Sequence, residues 1–235
     1  KMKFKRPETI GGIPVEGAYQ RYVDSQKELE VKEKPEDQSV PSNINQRDYI
    51  YVPDIKLYLA KERTHLGLNW YQAHEALHKE NLLMPTIPQF IAYIKYLKKD
   101  HQDRQEADKI LDDILTVREP WRAEWLDAKF EETGKEWYIK YNHRTINNKL
   151  EPQNSDPLEK CLRKDCYADV LNFNNQGLPT KELSKSNGGI YYWHPRNNTV
   201  ARFFSYSLRV GLDCGGVPNY SYGSLGVRAS FMAKP

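Results

Sequence analysis

Between residues 194 and 231 the chain uses no Lys, Glu, Gln, Met or Trp. No codon ending in C encodes any of these five. Tyr, Ser, Gly, Asn, Asp, Val and Leu fill the segment instead, as in the run FFSYSLRVGLDCGGVPNYSYGSLGVR. Tyr gives large contact area at low entropic cost, while Ser, Gly and Asn adapt their hydrogen bonding, and antibody loops draw on the same palette. The tail reads as a binding surface rather than a catalytic one.

Composition narrows the rest. Of 235 residues, 39% are apolar, enough for a core, and a net charge of +3 gives no argument for a nucleic-acid partner. Mean hydropathy is −0.81 with no long apolar run, so no membrane-spanning helix is expected. No secretory leader is visible, and the sequence leaves the compartment open, with a virion or cell surface among the options. Three cysteines, Cys161, Cys166 and Cys214, make an odd set. Reduced thiols are the expectation at so low a count, although Cys161 and Cys166 are close enough in sequence to pair.

Residues 1–48 carry the solvated run KELEVKEKPEDQ and read as a charged, partly mobile segment, followed by one domain over residues 49–235. Residues 49–59 alternate aromatic and β-branched side chains, which predicts a strand interrupted at Pro53. Asn69 caps a predicted helix with Trp70, Ala73 and Leu77 on one face. Thr86-Ile87-Pro88-Gln89 is a capping box opening a second helix, with Phe90, Ile91, Ile94 and Leu97 as its buried stripe. Ala107, Ile110, Leu111, Ile114 and Leu115 mark a third.

Beyond Pro120, WRAEWLDAKF and EWYIKYNH flank Gly134 as a hairpin, with helix the alternative for the first, since Trp121 and Trp125 sit four apart. Residues 147–189, rich in Pro, Asn, Ser and Gly, read as irregular. GIYYWHP and TVARFF are expected to pair across Arg196-Asn197-Asn198, and LGVRASF to close the fold as one short strand. Between these last strands lie roughly twenty residues of predicted loop, a length that is usually functional.

One motif competes. His74-Glu75-Ala76-Leu77-His78 matches H-E-x-x-H, in which two His one helical turn apart hold zinc and Glu acts as general base. The helix stripe puts His74 at the border of the core, and only Glu106 and His101 suggest themselves as third ligand. The plain reading is two core-edge histidines with no metal; the alternative is a zinc metallopeptidase using His74 and His78, with Glu75 as base. Cys214 has no nearby His and reads as a buried framework residue rather than a nucleophile.

The run NWYQAHEALHKENLLMPTIPQF resembles the two helices of C-type lectin-type folds, in particular the formylglycine-generating-enzyme-like branch, with Met84-Pro85-Thr86 as the step into the second helix. The ending, ARF through LGVR, resembles the variable region of diversity-generating retroelement target proteins of archaeal or archaeal-virus type. The resemblance covers roughly residues 50–130 and 188–230. It implies an α+β C-type lectin-type fold with two or three helices, short antiparallel strands and long loops. It also implies a variable region at about residues 200–228. Such elements randomise template adenines, so an AAC codon becomes NNC, a set that lacks the five absent amino acids.

By position, the resemblance makes Phe204, Tyr206, Leu208, Arg209, Gly211, Asp213, Gly215, Gly216, Val217, Asn219, Tyr220, Ser221, Tyr222 and Ser224 the diversified, ligand-binding set. Phe203, Leu212, Cys214, Pro218, Leu225, Gly226, Val227 and Arg228 become scaffold. The expected ligand is a protein or cell-surface molecule, with no nucleic acid and no cofactor. Calcium-dependent sugar binding is not expected, because Trp193-His194-Pro195 stands where a W-N-D triplet would be sought and E-P-N is absent. Only Cys214 lies in the tail, so the oxidase cysteine arrangement is missing and enzymatic activity by that route is not expected. A virion assembly protein with an incidental Tyr-rich surface is the remaining option.

Overall fold

A computed structural model describes residues 9–10, 13–14, 44–169, 172–184 and 189–233. The chain divides into two compact units, residues 1–40 and 41–233. In the first, β1 (Thr9–Ile10) pairs antiparallel with β2 (Ile13–Pro14). The expectation of a mobile segment over residues 1–48 otherwise falls mostly outside the described residues.

The second unit is mixed α+β, with three helices and mostly antiparallel sheets. It opens on β3 (Tyr49–Val52), a 3-10 turn at Pro53–Ile55, and β4 (Leu57–Ala60). The single strand expected here is therefore a hairpin. Proline fixes the first position of the turn, and Lys56 leaves it in the left-handed region at φ 50°.

Three helices follow. α1 (Trp70–Lys79) starts at Asn69, whose Oδ1 accepts the Gln72 N–H at 2.9 Å while Gln72 Oε1 accepts the Asn69 N–H at 3.1 Å. α2 (Ile87–Lys99) starts at Thr86, whose N–H donates to Gln89 Oε1 at 2.8 Å. Asp103 caps α3 (Arg104–Leu115) by accepting the Glu106 N–H. These caps, reciprocal on α1, satisfy backbone donors at the helix starts that would otherwise go unpaired. On α2 the buried stripe is Ile87, Phe90, Tyr93 and Leu97, with Ile91 and Ile94 only partly covered.

An eight-stranded sheet forms the body of the fold. β5 (Arg122–Thr133) and β6 (Glu136–Ile146) make the hairpin over Gly134, and the helical alternative for residues 121–130 is excluded. β7 (Lys149–Pro157) extends the sheet beyond β6, within a region expected to be irregular. Its residues are polar and alternate exposed with half-buried, and two prolines are tolerable because β7 is an edge strand. β8 (Cys166–Ala168) and β9 (Ile190–Trp193) sit at the other edge.

β10 (Thr199–Ser205) pairs with β5, and β11 (Val210–Gly216) lies between β10 and β9. Three expectations are corrected here. The segments GIYYWHP and TVARFF do not pair, because β11 separates them, antiparallel to β10 and parallel to β9. The long loop is also shorter than expected, because its middle is β11. LGVRASF divides too: β12 (Leu225–Gly226) runs parallel to β5, while β13 (Ser230–Met232) joins β4 and β3 in a second sheet.

The core lies between α2 and α3 and one face of the large sheet. Phe90, Tyr93 and Ile114 meet Leu126 and Phe130 of β5, Phe203 of β10 and Leu212 of β11. Strand alternation turns Arg202, Phe204 and Asp213 to the opposite face.

Candidate functional site

That opposite face carries an open cleft of about 550 Å³. Its floor is an ion pair, Arg202 on β10 and Asp213 on β11, with Arg202 Nη2 2.8 Å from Asp213 Oδ2. Asp213 also accepts the Gly215 N–H at 2.8 Å, which ties the end of β11 to the floor. One wall is a chain of rings: Tyr191 meets Trp193 at 4.5 Å between centroids, Trp193 meets Phe204 at 4.5 Å, and Phe204 meets Tyr206 at 5.8 Å. Across the floor, Trp121 stacks on Tyr222 at 4.9 Å and faces Tyr220 at 6.4 Å. The Arg202 guanidinium lies 5.8 Å from both the Trp121 and Tyr220 rings, within cation–π range.

Glu119 and Arg196 complete the rim. Arg196 bonds Asp165 at 3.0 Å, and His194 Nδ1 lies 2.6 Å from the other oxygen of that carboxylate. Burial would raise Asp165, but the bonds from His194 and the Arg196 charge hold it below the usual carboxylate range. The cleft therefore offers paired charges on its floor and rim between two aromatic walls.

The fourteen residues expected to be diversified fall into distinct places. Phe204, Tyr206, Asp213, Gly215, Val217 and Tyr220 line the cleft. Tyr222 stacks at its edge, while Asn219 and Ser221 are exposed on the same loop. Ser224 is half-buried where the loop returns to β12. Leu208, 74% exposed, is the most exposed large hydrophobic among the described residues and tips the β10–β11 turn. Arg209 folds over Tyr191, 3.9 Å from the ring centroid.

Gly211 and Gly216 do not fit that set. A Cβ on Gly211 would lie 1.8 Å from the Tyr191 carbonyl oxygen, and one on Gly216 would lie 2.8 Å from that of Val200. Both approaches are to backbone of a paired strand, so neither position displays a side chain. Both are corrected to the supporting sheet.

The residues assigned to scaffold lie underneath. Phe203, Leu212, Cys214, Leu225, Val227 and Arg228 are buried, as is Gly226. The half-buried Pro218 anchors the loop by accepting the Trp70 N–H at 3.0 Å, at the first residue of α1. All three cysteines are free thiols. Burial pushes the Cys214 thiol well above its ordinary range.

The H-E-x-x-H segment does not form the constellation that the alternative, metallopeptidase reading requires. His74 is fully buried and burial pushes it down to about 3, whereas Glu75 is exposed and pairs with Lys79 at 2.8 Å. His78 Nδ1 bonds Thr145 at 2.8 Å. The suggested third ligands, His101 and Glu106, pair with each other at 3.1 Å instead. Glu75 is thus turned to solvent rather than set beside the two histidines.

Trp121, Trp193, Arg196, Arg202 and Glu119 line the cleft without belonging to the expected set. Alternation along TVARFF was the one available signal, since it puts Arg202 on the face of Phe204. Comparison of the chain with family models, curated protein sequences and solved structures gave no match.

Proposed function

We propose that this chain is a ligand-binding protein of the C-type lectin type, displaying a diversified carboxy-terminal surface that recognises a protein or surface molecule without covalent chemistry. The observation that carries this reading is the convergence of Phe204, Tyr206, Asp213, Gly215, Val217 and Tyr220 on one cleft, over a sheet whose other face is core. Aromatic and Arg side chains of this kind dominate protein recognition energetics, because they bury large areas while keeping polar handles. A sheet floor lowers the ordering cost of binding, since the backbone under the side chains is already fixed.

Sequencing the 3′ end of this gene across a natural population tests the reading. Substitutions are expected at codons for Tyr206, Leu208, Arg209, Val217, Asn219, Tyr220, Ser221 and Tyr222, at adenines of a near-copy template, with a reverse transcriptase gene nearby. Variation spread evenly, or falling equally on Leu212, Val227 and Arg228, would sink it.

A further inference from the structure

α1, β5 and β6 bring together three side chains distant in sequence: His74, Asp127 and His143. All are buried, and one nitrogen or oxygen of each lies within 4.8 Å of the other two. Asp127 Oδ1 is 2.5 Å from His143 Nδ1, while Oδ2 accepts the His143 backbone N–H at 2.9 Å. Asn142, left-handed at φ 55°, precedes His143 within β6. His74 Nε2 points at the same carboxylate, 3.6 Å from Oδ1, and neither ring nitrogen of His74 has a hydrogen-bond partner among the described residues.

A neutral imidazole always carries one N–H, and buried polar groups are almost always paired. The other ring nitrogen carries a lone pair, and a lone pair on Nε2 aimed into a buried His–Asp pair makes a set of electron-pair donors lacking a common acceptor. Two imidazoles and one carboxylate suit zinc and other divalent first-row ions. Bonds of about 2.0–2.1 Å in tetrahedral geometry put ligand atoms about 3.3 Å apart. The His74–Asp127 separation already approaches that spacing. The His143–Asp127 contact opens to it when an ion replaces the shared proton. Trp70 packs edge-on against both rings, at 4.4 Å from His74 and 4.9 Å from His143, and so fixes their orientation.

We infer that His74, Asp127 and His143 form a buried structural site for one divalent transition-metal ion of the zinc class, fastening α1 to β5 and β6. Its consequence reaches the binding face, because the first residue of α1 holds Pro218 at the base of the Tyr-rich loop. The site stands independently of ligand recognition: either can fail without the other.

Metal analysis of the whole chain, purified without chelators, tests it directly. About one equivalent of zinc-class metal per chain is expected. After chelator dialysis, added zinc should raise Tm by several degrees and magnesium should not. Cobalt(II) should give the intense visible bands of a low-coordinate site. His143→Gln and Asp127→Asn should lose the metal and the zinc-dependent rise, while His101→Gln keeps both. If the wild-type chain takes up no stoichiometric metal and zinc leaves its Tm unchanged, the inference is overturned whatever the variants do. Equal metal loss in His101→Gln would place the ion elsewhere and overturn it too.

Discussion

Arg228 Nε lies 2.9 Å from Glu124 Oε2, and both side chains are wholly buried. The pair joins the strand end after β12 to β5, alongside the parallel pairing of Leu225 with Ala123 and Gly226 with Glu124. Arg228 also reaches Asp113 of α3 at 2.8 Å and the Ala60 and Lys61 carbonyls, while Arg122 approaches Glu124 at 3.3 Å. Two guanidiniums and two carboxylates thus sit together beside β12 as one charged plate.

Removing one member leaves buried charge uncompensated. Arg228→Met should cost about 3–5 kcal/mol, since Glu124 then faces only Arg122. Urea unfolding measures it. A loss below about 1 kcal/mol, the value of a surface pair, would mean that the tail is held by apolar packing alone.

Acid should loosen the same plate. Burial would raise Asp113, but Arg122, Arg228 and Arg63 hold its carboxyl below the usual range. A depressed folded pKa gives stability that is complete above the unfolded value of about 3.9 and is lost as pH falls through the folded one. Asp127 and Asp165 are lowered as well, so part of the acid limb belongs to them. Tm followed from pH 6 downward should fall less steeply in Asp113→Asn, from a lower plateau. An unchanged slope would remove Asp113 from this account.

Glycine substitutions separate open loop positions from those packed against a neighbouring strand. Gly223 has nothing within 4 Å of an added Cβ, so Gly223→Ala should change stability by no more than about 0.5 kcal/mol. Gly211→Ala drives a methyl into the Tyr191 backbone and should cost more than about 3 kcal/mol, the upper end of ordinary overpacking. Equal tolerance of the two would show that β11 does not run beside β9.

Thiol labelling reports the same core. Cys214 is fully buried and its thiol is pushed up, while Cys161 is half-buried. Under native conditions Cys161 should react before Cys214, and full reaction of three thiols should require denaturant. Fast labelling of Cys214 would contradict its place beneath the cleft.

The stack of Trp121 on Tyr222 should order residues 217–223. Trp121→Ala removes about 0.5–1.5 kcal/mol of ring pairing. Backbone amides there should exchange several-fold faster, with β10 and β11 unaffected. Unchanged exchange would mean that Pro218 alone fixes the loop.

Much of the local structure was legible in the sequence. Asn69, Thr86 and the apolar spacing after them marked two helices, and Gly134 between alternating runs marked the β5–β6 hairpin. Caps, turns and periodicity act over a few residues, so a short window contains their whole cause. β7 was not legible, because its Pro, Asn and Ser composition suits an edge strand and a loop equally.

The palette of residues 194–231 is a property of the sequence alone, and it is the reason a binding surface is proposed for the tail. Tertiary structure alone decided that β11 enters between β9 and β10, which turns Gly211 into a contact point and sets Arg202 opposite Asp213. It alone brought Asp127 and His143 to His74. Strand order and buried encounters are settled by which distant segments pack best together, a competition over the whole chain that no local pattern records.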